Sequence, residues 1–216
     1  MRDSVKQFTK FLLLSVLFGT AATAIAQPSL YVDGTHYETL ANPVRTADPN
    51  KIEVTEVFWY GCPHCYAFEP LITSWEEKLP SDVAFVRSPG MWNPTMEVHA
   101  QIYYAAEALG IAEKIHPVAF NEIHQKRNYL QTEDAIRDMF VREGVAAADF
   151  DKAWKSFSVT SAVKRAGTRM RDYKVQGVPS LVVNGKYLVS AGGAVPTQTD
   201  MLKVVDFLIQ KERSDS

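Results

Sequence analysis

The residues best suited to chemistry are Cys62 and Cys65, the only two cysteines in the chain, separated by Pro63 and His64. A Cys-x-x-Cys pair supports disulfide exchange, in which a thiolate is the nucleophile. A structural zinc site needs about four ligands, and no second cysteine pair is present. A c-type haem site needs histidine directly after the second cysteine, where Tyr66 stands. A purely structural disulfide across so short a loop adds little stability. The pattern therefore favours redox chemistry without a metal or cofactor.

The elements around the pair suggest how its reactivity is tuned. Residues 52–60 are rich in β-branched and aromatic types and predict a strand. After the pair, apolar residues such as Phe68, Ile72 and Trp75 recur at helical spacing. Cys62 therefore precedes the first turn of a helix, where free N–H groups and the helix dipole stabilise an anion. Pro63 suits the first helical position, because its missing N–H would have no partner there.

A carboxylate in the predicted strand is a second candidate. Glu56 shares one face with Ile52, Val54 and Phe58 by alternation, and that face otherwise resembles core. The face could be partly wet, or a basic residue could pair with Glu56. Alternatively, Glu56 is a buried acid beneath the cysteine pair. Burial raises the pKa of a carboxyl group, which suits it to relay protons near neutral pH.

The N-terminal residues have the features of a cleavable export signal. Arg2, Lys6 and Lys10 precede the apolar run 11–18, and Ala24-Ile25-Ala26 is a small-residue cleavage site. We therefore predict a signal peptide over 1–26 and a mature chain that begins at Gln27. Export leads to an oxidising compartment, where a protein with one reactive cysteine pair is suited to making or moving disulfides.

The composition is that of a globular protein and excludes one class of partner. Of 216 residues, 46% are hydrophobic and 22% charged, with a net charge of −2. Such a charge gives no electrostatic footprint for nucleic acid.

The mature chain divides by its periodicity into three stretches. Residues 27–94 contain the predicted strand–helix–strand unit, with a second core strand over 83–87 and a turn at 88–90. Residues 95–172 have helical period almost throughout, and predict an all-helical insertion. We expect its histidines, His99, His116 and His124, to have no chemical role. Residues 173–216 contain a hairpin around Asn184-Gly185 and a final helix capped by Thr197.

Three motifs together resemble the DsbA family of periplasmic thiol:disulfide oxidoreductases. The block over 58–69 is similar to the active-site segment, with Pro-His between the cysteines. Gly-Val-Pro over 177–179 is similar to the family's cis-proline loop, and Asn-Gly-Lys-Tyr over 184–187 to the hairpin that follows. The resemblance covers the mature chain except for the lead-in before Ile52. It implies an α/β, thioredoxin-like fold with an inserted all-helical subdomain.

The resemblance also implies roles for individual residues. Cys62 would be the exposed, low-pKa nucleophile and Cys65 its buried partner, with His64 favouring the Cys62 thiolate. Glu56 matches the family's buried acid. Val178 and Pro179 would form the loop that contacts the substrate, with Pro179 cis.

The function expected from the resemblance is a dithiol oxidase that introduces disulfides into newly exported, cysteine-containing proteins. It would act as a monomer in the periplasm and be reoxidised by a DsbB-like, quinone-linked inner-membrane partner. A disulfide isomerase or reductase of the same fold is an alternative, as is a module that binds a soft metal ion between two thiolates.

Overall fold

The computed structural model describes residues 30–215, so the predicted signal peptide over 1–26 lies outside the described residues. By its internal contacts the chain divides after Leu30, and the fold is that of the unit from Tyr31 onward. None of the helices within the described range is long and apolar enough to cross a membrane.

A five-stranded mixed sheet forms the centre of the fold. In chain order its strands are β1 (Glu38–Thr39), β2 (Ile52–Phe58), β3 (Val83–Pro89), β4 (Ser180–Val183) and β5 (Tyr187–Ser190). The order across the sheet is β1-β5-β4-β2-β3. The β2–β3 pair is parallel and the other pairs are antiparallel. Strand β2 therefore lies inside the sheet, and it is buried on both faces. Such a strand shows only partial alternation of apolar residues.

The described chain contains seven helices. They are α1 (Pro63–Glu76), α2 (Pro94–Ala108), α3 (Ala112–His124), α4 (Glu133–Arg142), α5 (Ala147–Trp154), α6 (Phe157–Asp172) and α7 (Gln198–Ser214). Helices α2 to α6 follow one another between β3 and β4, in the stretch predicted to be helical. The boundaries of the predicted domain parts, 27–94, 95–172 and 173–216, stay a prediction.

Two main cores lie beside the sheet. One packs α1 and α7 against it and contains Val54, Phe68 and Leu208. The other joins the end of β2 to the helices after β3, and contains Phe58 and Phe120. The active-site strand thus contributes to both cores, through Val54 to the first and through Phe58, its last residue, to the second.

Several element boundaries differ from the predictions. Strand β2 ends at Phe58 rather than Tyr60, because Cys62 N–H bonds to Trp59 O at 2.9 Å and turns the chain. Strand β3 runs through the predicted turn to Pro89, which lies opposite Phe58 in the ladder. The predicted hairpin is confirmed, since Asn184 and Gly185 both have positive φ between β4 and β5.

Candidate active site

Cys62 caps the N-terminus of α1 through its sulfur. Its backbone is extended, and its Sγ accepts a hydrogen bond from the N–H of Cys65 at 3.4 Å. Pro63 follows in the first helical turn, where it needs no partner for its nitrogen. As a thiol, Cys62 also donates to the carbonyl oxygen of Val178 at 3.4 Å. The predicted position at a helix N-terminus is confirmed.

The two thiols ionise at very different pH. The pKa of Cys62 is lowered to about 6, and hydrogen bonding from the Cys65 side chain is the largest cause. The backbone N–H groups of Cys65 and His64 and the charge of His64 lower this pKa as well, while burial opposes them. Burial raises the pKa of Cys65 far above its usual range, and Cys62 and Glu56 add to this. At neutral pH the reduced pair therefore carries a thiolate on Cys62 and a thiol on Cys65.

The expectation that Cys62 is exposed is wrong for the structure as it stands. Its relative exposure is 6%, against 0% for Cys65. The Val178 carbonyl lies over the sulfur, and Cys62 is part of the core that contains Phe58 and Phe120. Cys62 is thus the more accessible residue of the two, although both are buried.

The loop before β4 brings a second segment to the cysteines. The Val178–Pro179 peptide bond is cis, as the resemblance implied. Ser180 begins β4 and its hydroxyl donates to the carbonyl of Gly177 at 2.8 Å, closing the loop. Because β4 pairs with β2, the loop lies beside the turn that leads to Cys62.

His64 lies on the surface, between the cysteine pair and α7. Its side chain is exposed, and its carbonyl accepts a hydrogen bond from Gln198 Nε2 at 2.6 Å. Together with the 176–180 loop it lines a cavity of about 650 Å³, which we call the loop-side cavity. His64, Val178 and Pro179 therefore meet at one wall of the site.

Glu56 is fully buried and belongs to a charged cluster. Its Oε2 lies 3.5 Å from Arg87 Nε, and Arg87 in turn pairs with Glu76 at 3.2 Å. Neither oxygen of Glu56 has a hydrogen-bond partner in the described chain. The pKa of Glu56 is raised to about 8, chiefly by burial and also by the charges of Glu69 and Glu76, while the charge of Arg87 opposes the rise. Glu56 is therefore protonated at neutral pH, and its charge acts on Cys65 when it ionises.

Three histidines of the helical stretch contact the active-site segment, which the sequence did not indicate. Trp59 Nε1 donates to His99 Nδ1 at 3.0 Å, and the Tyr60 hydroxyl lies 3.0 Å from His116 Nδ1. His124 Nε2 lies 2.8 Å from the Tyr60 carbonyl. These partners are 40, 56 and 64 residues apart, so no local pattern could have paired them.

Within the described chain, the cysteine pair belongs to no metal-binding group of three or more ligands. Among residues 30–215, no cluster of three or more His, Cys, Asp or Glu side chains is placed to hold one. The reactive groups of the site are the two sulfurs, and the neighbouring groups set the pKa of each thiol.

The fold and the site define a thioredoxin-like protein with a dithiol at a helix N-terminus. A sequence model of the DSBA-like thioredoxin domain matches residues 72–200. The chain is 42% identical to the thiol:disulfide interchange protein DsbA of Pseudomonas aeruginosa, over 95% of each chain, and 43% identical to that of Pseudomonas syringae pv. tomato, over 94% and 93%. The crystal structure of the P. aeruginosa protein superposes with a TM-score of 0.81 at 40% identity, over 86% of this chain and 96% of that one.

The chain therefore belongs to the DsbA family of thiol:disulfide oxidoreductases. The predicted fold class and the predicted enzyme class are confirmed. The match to the domain model begins after the cysteine pair, so the roles of individual site residues are a separate question.

Proposed function

We propose that this oxidoreductase works as a dithiol oxidase in which Cys62 is the nucleophile and leaving group and Cys65 its buried partner. The observation that carries the proposal is the difference between the two thiols. Cys62 is acidified by donors at the start of α1, whereas burial keeps Cys65 protonated.

The first half of the reaction forms a mixed disulfide. A substrate thiolate attacks Cys62 Sγ of the oxidised pair, the Cys62–Cys65 bond breaks, and Cys65 leaves with the electron pair. Because Cys65 holds a proton firmly, it must be protonated as it leaves. Glu56, whose pKa is about 8, is protonated at neutral pH and can supply that proton, regaining one from solvent.

The second half releases the product. A second substrate thiolate attacks the substrate sulfur of the mixed disulfide, and Cys62 leaves as a thiolate. The substrate has then lost two electrons and two thiol protons and gained a disulfide, while the enzyme pair has been reduced. Val178 and Pro179 form the wall against which the substrate chain lies, and His64 adds positive character beside the Cys62 thiolate.

The substrates proposed are cysteine-containing proteins that have been exported but not yet oxidised. The predicted signal peptide and the relatives' shared family support the periplasm as the place of action. The reduced pair needs an oxidant that removes two electrons, for which we propose a quinone-linked membrane partner. The enzyme is proposed to act as a monomer.

Trapping variants test the roles of the two cysteines. In Cys65→Ser the mixed disulfide at Cys62 cannot be resolved by the partner thiol, so it should accumulate with exported proteins. Cys62→Ser should trap few, because Cys65 is buried. Non-reducing gels after matched expression give the comparison. Equal trapping by both variants would contradict the assignment.

A further inference from the structure

Residues close to Cys62 in the chain line two cavities, of which the mechanism uses only one. Val178 and His64 border the loop-side cavity. Gly61 and Pro63, the two neighbours of Cys62 in the chain, line a second groove of about 770 Å³. We call it the helical-side groove, because its other walls come from the segments around α2 and α3.

A polypeptide substrate has two segments to place, one on each side of its reacting cysteine. When a cysteine inside a chain is bonded to Cys62, the chain leaves that sulfur in two directions. One direction can follow the loop-side cavity past Val178. The other can pass over Gly61 and Pro63, which line the helical-side groove.

The floor of the groove is an indole that is fixed in place. Trp59 donates to His99 Nδ1 at 3.0 Å, and the other ring nitrogen of His99 lies 3.0 Å from the carbonyl of Tyr129. A Cβ on Gly61 would lie 2.3 Å from the indole, so only glycine allows this approach. The indole therefore presents an apolar surface without a cost for ordering it at the time of binding.

The outer wall is a loop held by a buried carboxylate. Arg127 and Leu130 both adopt positive φ, which is costly for residues other than glycine. Glu122, at the end of α3, accepts hydrogen bonds from Lys126 at 2.9 Å and from Asn128 at 2.8 Å, and it fixes the loop in this conformation. The wall is thus rigid before any ligand arrives.

The chemistry of the groove specifies its occupant. Trp59, Pro63 and Tyr129 present rings, and Tyr129 is 58% exposed. Arg127 is exposed and has no hydrogen bond or ion pair within residues 30–215. No carboxylate is among the described residues that line the groove. An aromatic side chain followed by a carboxylate would bury a ring against Trp59 and Tyr129 and pair with Arg127.

We infer that the helical-side groove binds the substrate polypeptide on one side of its reacting cysteine, with preference for an aromatic residue next to an acidic one. The inference rests on the proposed function, because it places the substrate cysteine on Cys62. It assigns Trp59, Arg127 and Tyr129 to substrate selection rather than to the chemical step.

Crosslinking locates the two arms of a bound peptide. A peptide with a central cysteine and a benzoylphenylalanine two to four residues away, placed either before or after the cysteine, is bonded to Cys62 of the Cys65→Ser variant and irradiated. One placement should crosslink within 92–131 or at Trp59, and the other within 174–198. If both placements crosslink only within 174–198, the groove is not a substrate site.

Rates test the proposed preference. Two peptides carry Tyr and Asp, either before or after the cysteine, and reduce the oxidised enzyme under second-order conditions. For one of the two, Tyr129→Ala and Arg127→Glu should each lower the rate constant about five- to tenfold. Phe157→Ala and Arg45→Glu, at exposed positions outside the groove, should leave both peptides unchanged. Equal effects on both peptides, or none, would overturn the preference.

A small thiol distinguishes an effect on substrate binding in the groove from an effect on the chemistry of the cysteine pair. Dithiothreitol has no chain to place in the groove, so its rate with Tyr129→Ala and Arg127→Glu should stay that of the unaltered enzyme. A lower rate with dithiothreitol would show that the variants damage the cysteine pair and would contradict a separate binding role.

Two further outcomes concern the proposed function and the occupant of the groove. If no peptide forms a mixed disulfide at Cys62, the proposed function itself is contradicted. A doubled molar mass in solution, with the groove residues protected, would assign the groove to a second copy instead.

Discussion

The acidity of Cys62 comes mainly from one neighbour. A hydrogen bond from the Cys65 side chain is the largest cause of the lowered pKa, ahead of the backbone donors and the charge of His64. His64, the residue that most distinguishes the dipeptide between the cysteines, is therefore not the main source of thiolate stability. This differs from the emphasis that the motif alone suggests.

Two substitutions of Cys65 isolate that hydrogen bond. Serine can still donate to the Cys62 thiolate, whereas alanine cannot. We expect the pKa of Cys62 to rise in Cys65→Ala by about one unit above its value in Cys65→Ser. Thiolate absorbance in the far ultraviolet, followed against pH, gives both values. Identical pKa values in the two variants would assign the acidity to the helix N-terminus alone.

Glu56 gives a stability prediction with a defined sign. Its pKa is raised from 4.5 to about 8 by burial, so the folded state binds more protons than the unfolded state between those values, and stability falls as pH rises through this window. Glu56→Gln removes that loss. We expect the variant to be more stable at pH 7 by up to about 3 kcal/mol and unchanged at pH 4. Urea unfolding of the oxidised proteins measures the difference.

Glu122 provides the control for this measurement. It is also buried, but hydrogen bonds from Lys126, Asn128 and Arg142 outweigh burial and lower its pKa. Its contribution is present above its unfolded pKa and is lost as pH falls through the folded one. Glu122→Gln should therefore destabilise the protein at pH 7. A Glu56→Gln variant that is also less stable at pH 7 would show that Glu56 is ionised and held by Arg87.

At the scale of elements, the hairpin between β4 and β5 supports the cis-proline loop through β4. Gly185 has φ +61, and a Cβ there would lie 1.9 Å from the carbonyl oxygen of Val44. Gly144 also has positive φ, but a Cβ there would meet no atom within 4 Å among the described residues beyond its neighbours in the chain. The two glycines therefore separate steric conflict from backbone strain.

Alanine at each position measures the two effects. Gly144→Ala should cost about 1 kcal/mol, from the positive φ alone. Gly185→Ala should cost at least about 2 kcal/mol, because the lead-in at Val44 or the turn must move. Denaturant unfolding of both variants is the measurement. Equal losses of unfolding free energy in the two variants would show that the segment at Val44 moves away from the added Cβ at no cost.

Local patterns predict most elements, although one apolar spacing does not correspond to a buried stripe. The strand before Cys62, the Thr197 cap and the Asn184-Gly185 turn follow from short-range chemistry, and all are present. The spacing of Phe157 places it in one apolar stripe with Phe150 and Trp154, yet it is 87% exposed at the start of α6. Ser156 caps that helix and ends the stripe, so the spacing is coincidental.

The site is predicted less completely, because contacts between residues far apart in the chain decide its geometry. Cys62, Cys65 and Glu56 stand out by residue type and spacing. The burial of Cys62 depends on Val178, which lies 116 residues away in the chain. The contacts of Trp59 and Tyr60 with histidines are equally remote. Only the fold brings these pairs together.

At the scale of the molecule, the helical stretch does more than cover one side of the sheet. His99, His116 and His124 tie α2 and α3 to the residues just before Cys62. The sheet, through β4, places the carbonyl of Val178 within hydrogen-bond distance of the Cys62 sulfur. The cysteine pair thus belongs to the core that contains Phe58 and Phe120, and its neighbours in the chain line both cavities.

The measurement that tests the proposed chemistry most directly is the equilibrium of the cysteine pair with glutathione as a function of pH. Because Cys62 ionises near pH 6 and a free thiol such as that of glutathione near pH 8.5, raising the pH between these values should favour the reduced enzyme about tenfold per unit. Below pH 6 the equilibrium constant should be flat. A constant that stays flat up to pH 8 would show that the Cys62 thiolate is not stabilised, and would contradict the dithiol oxidase proposed here.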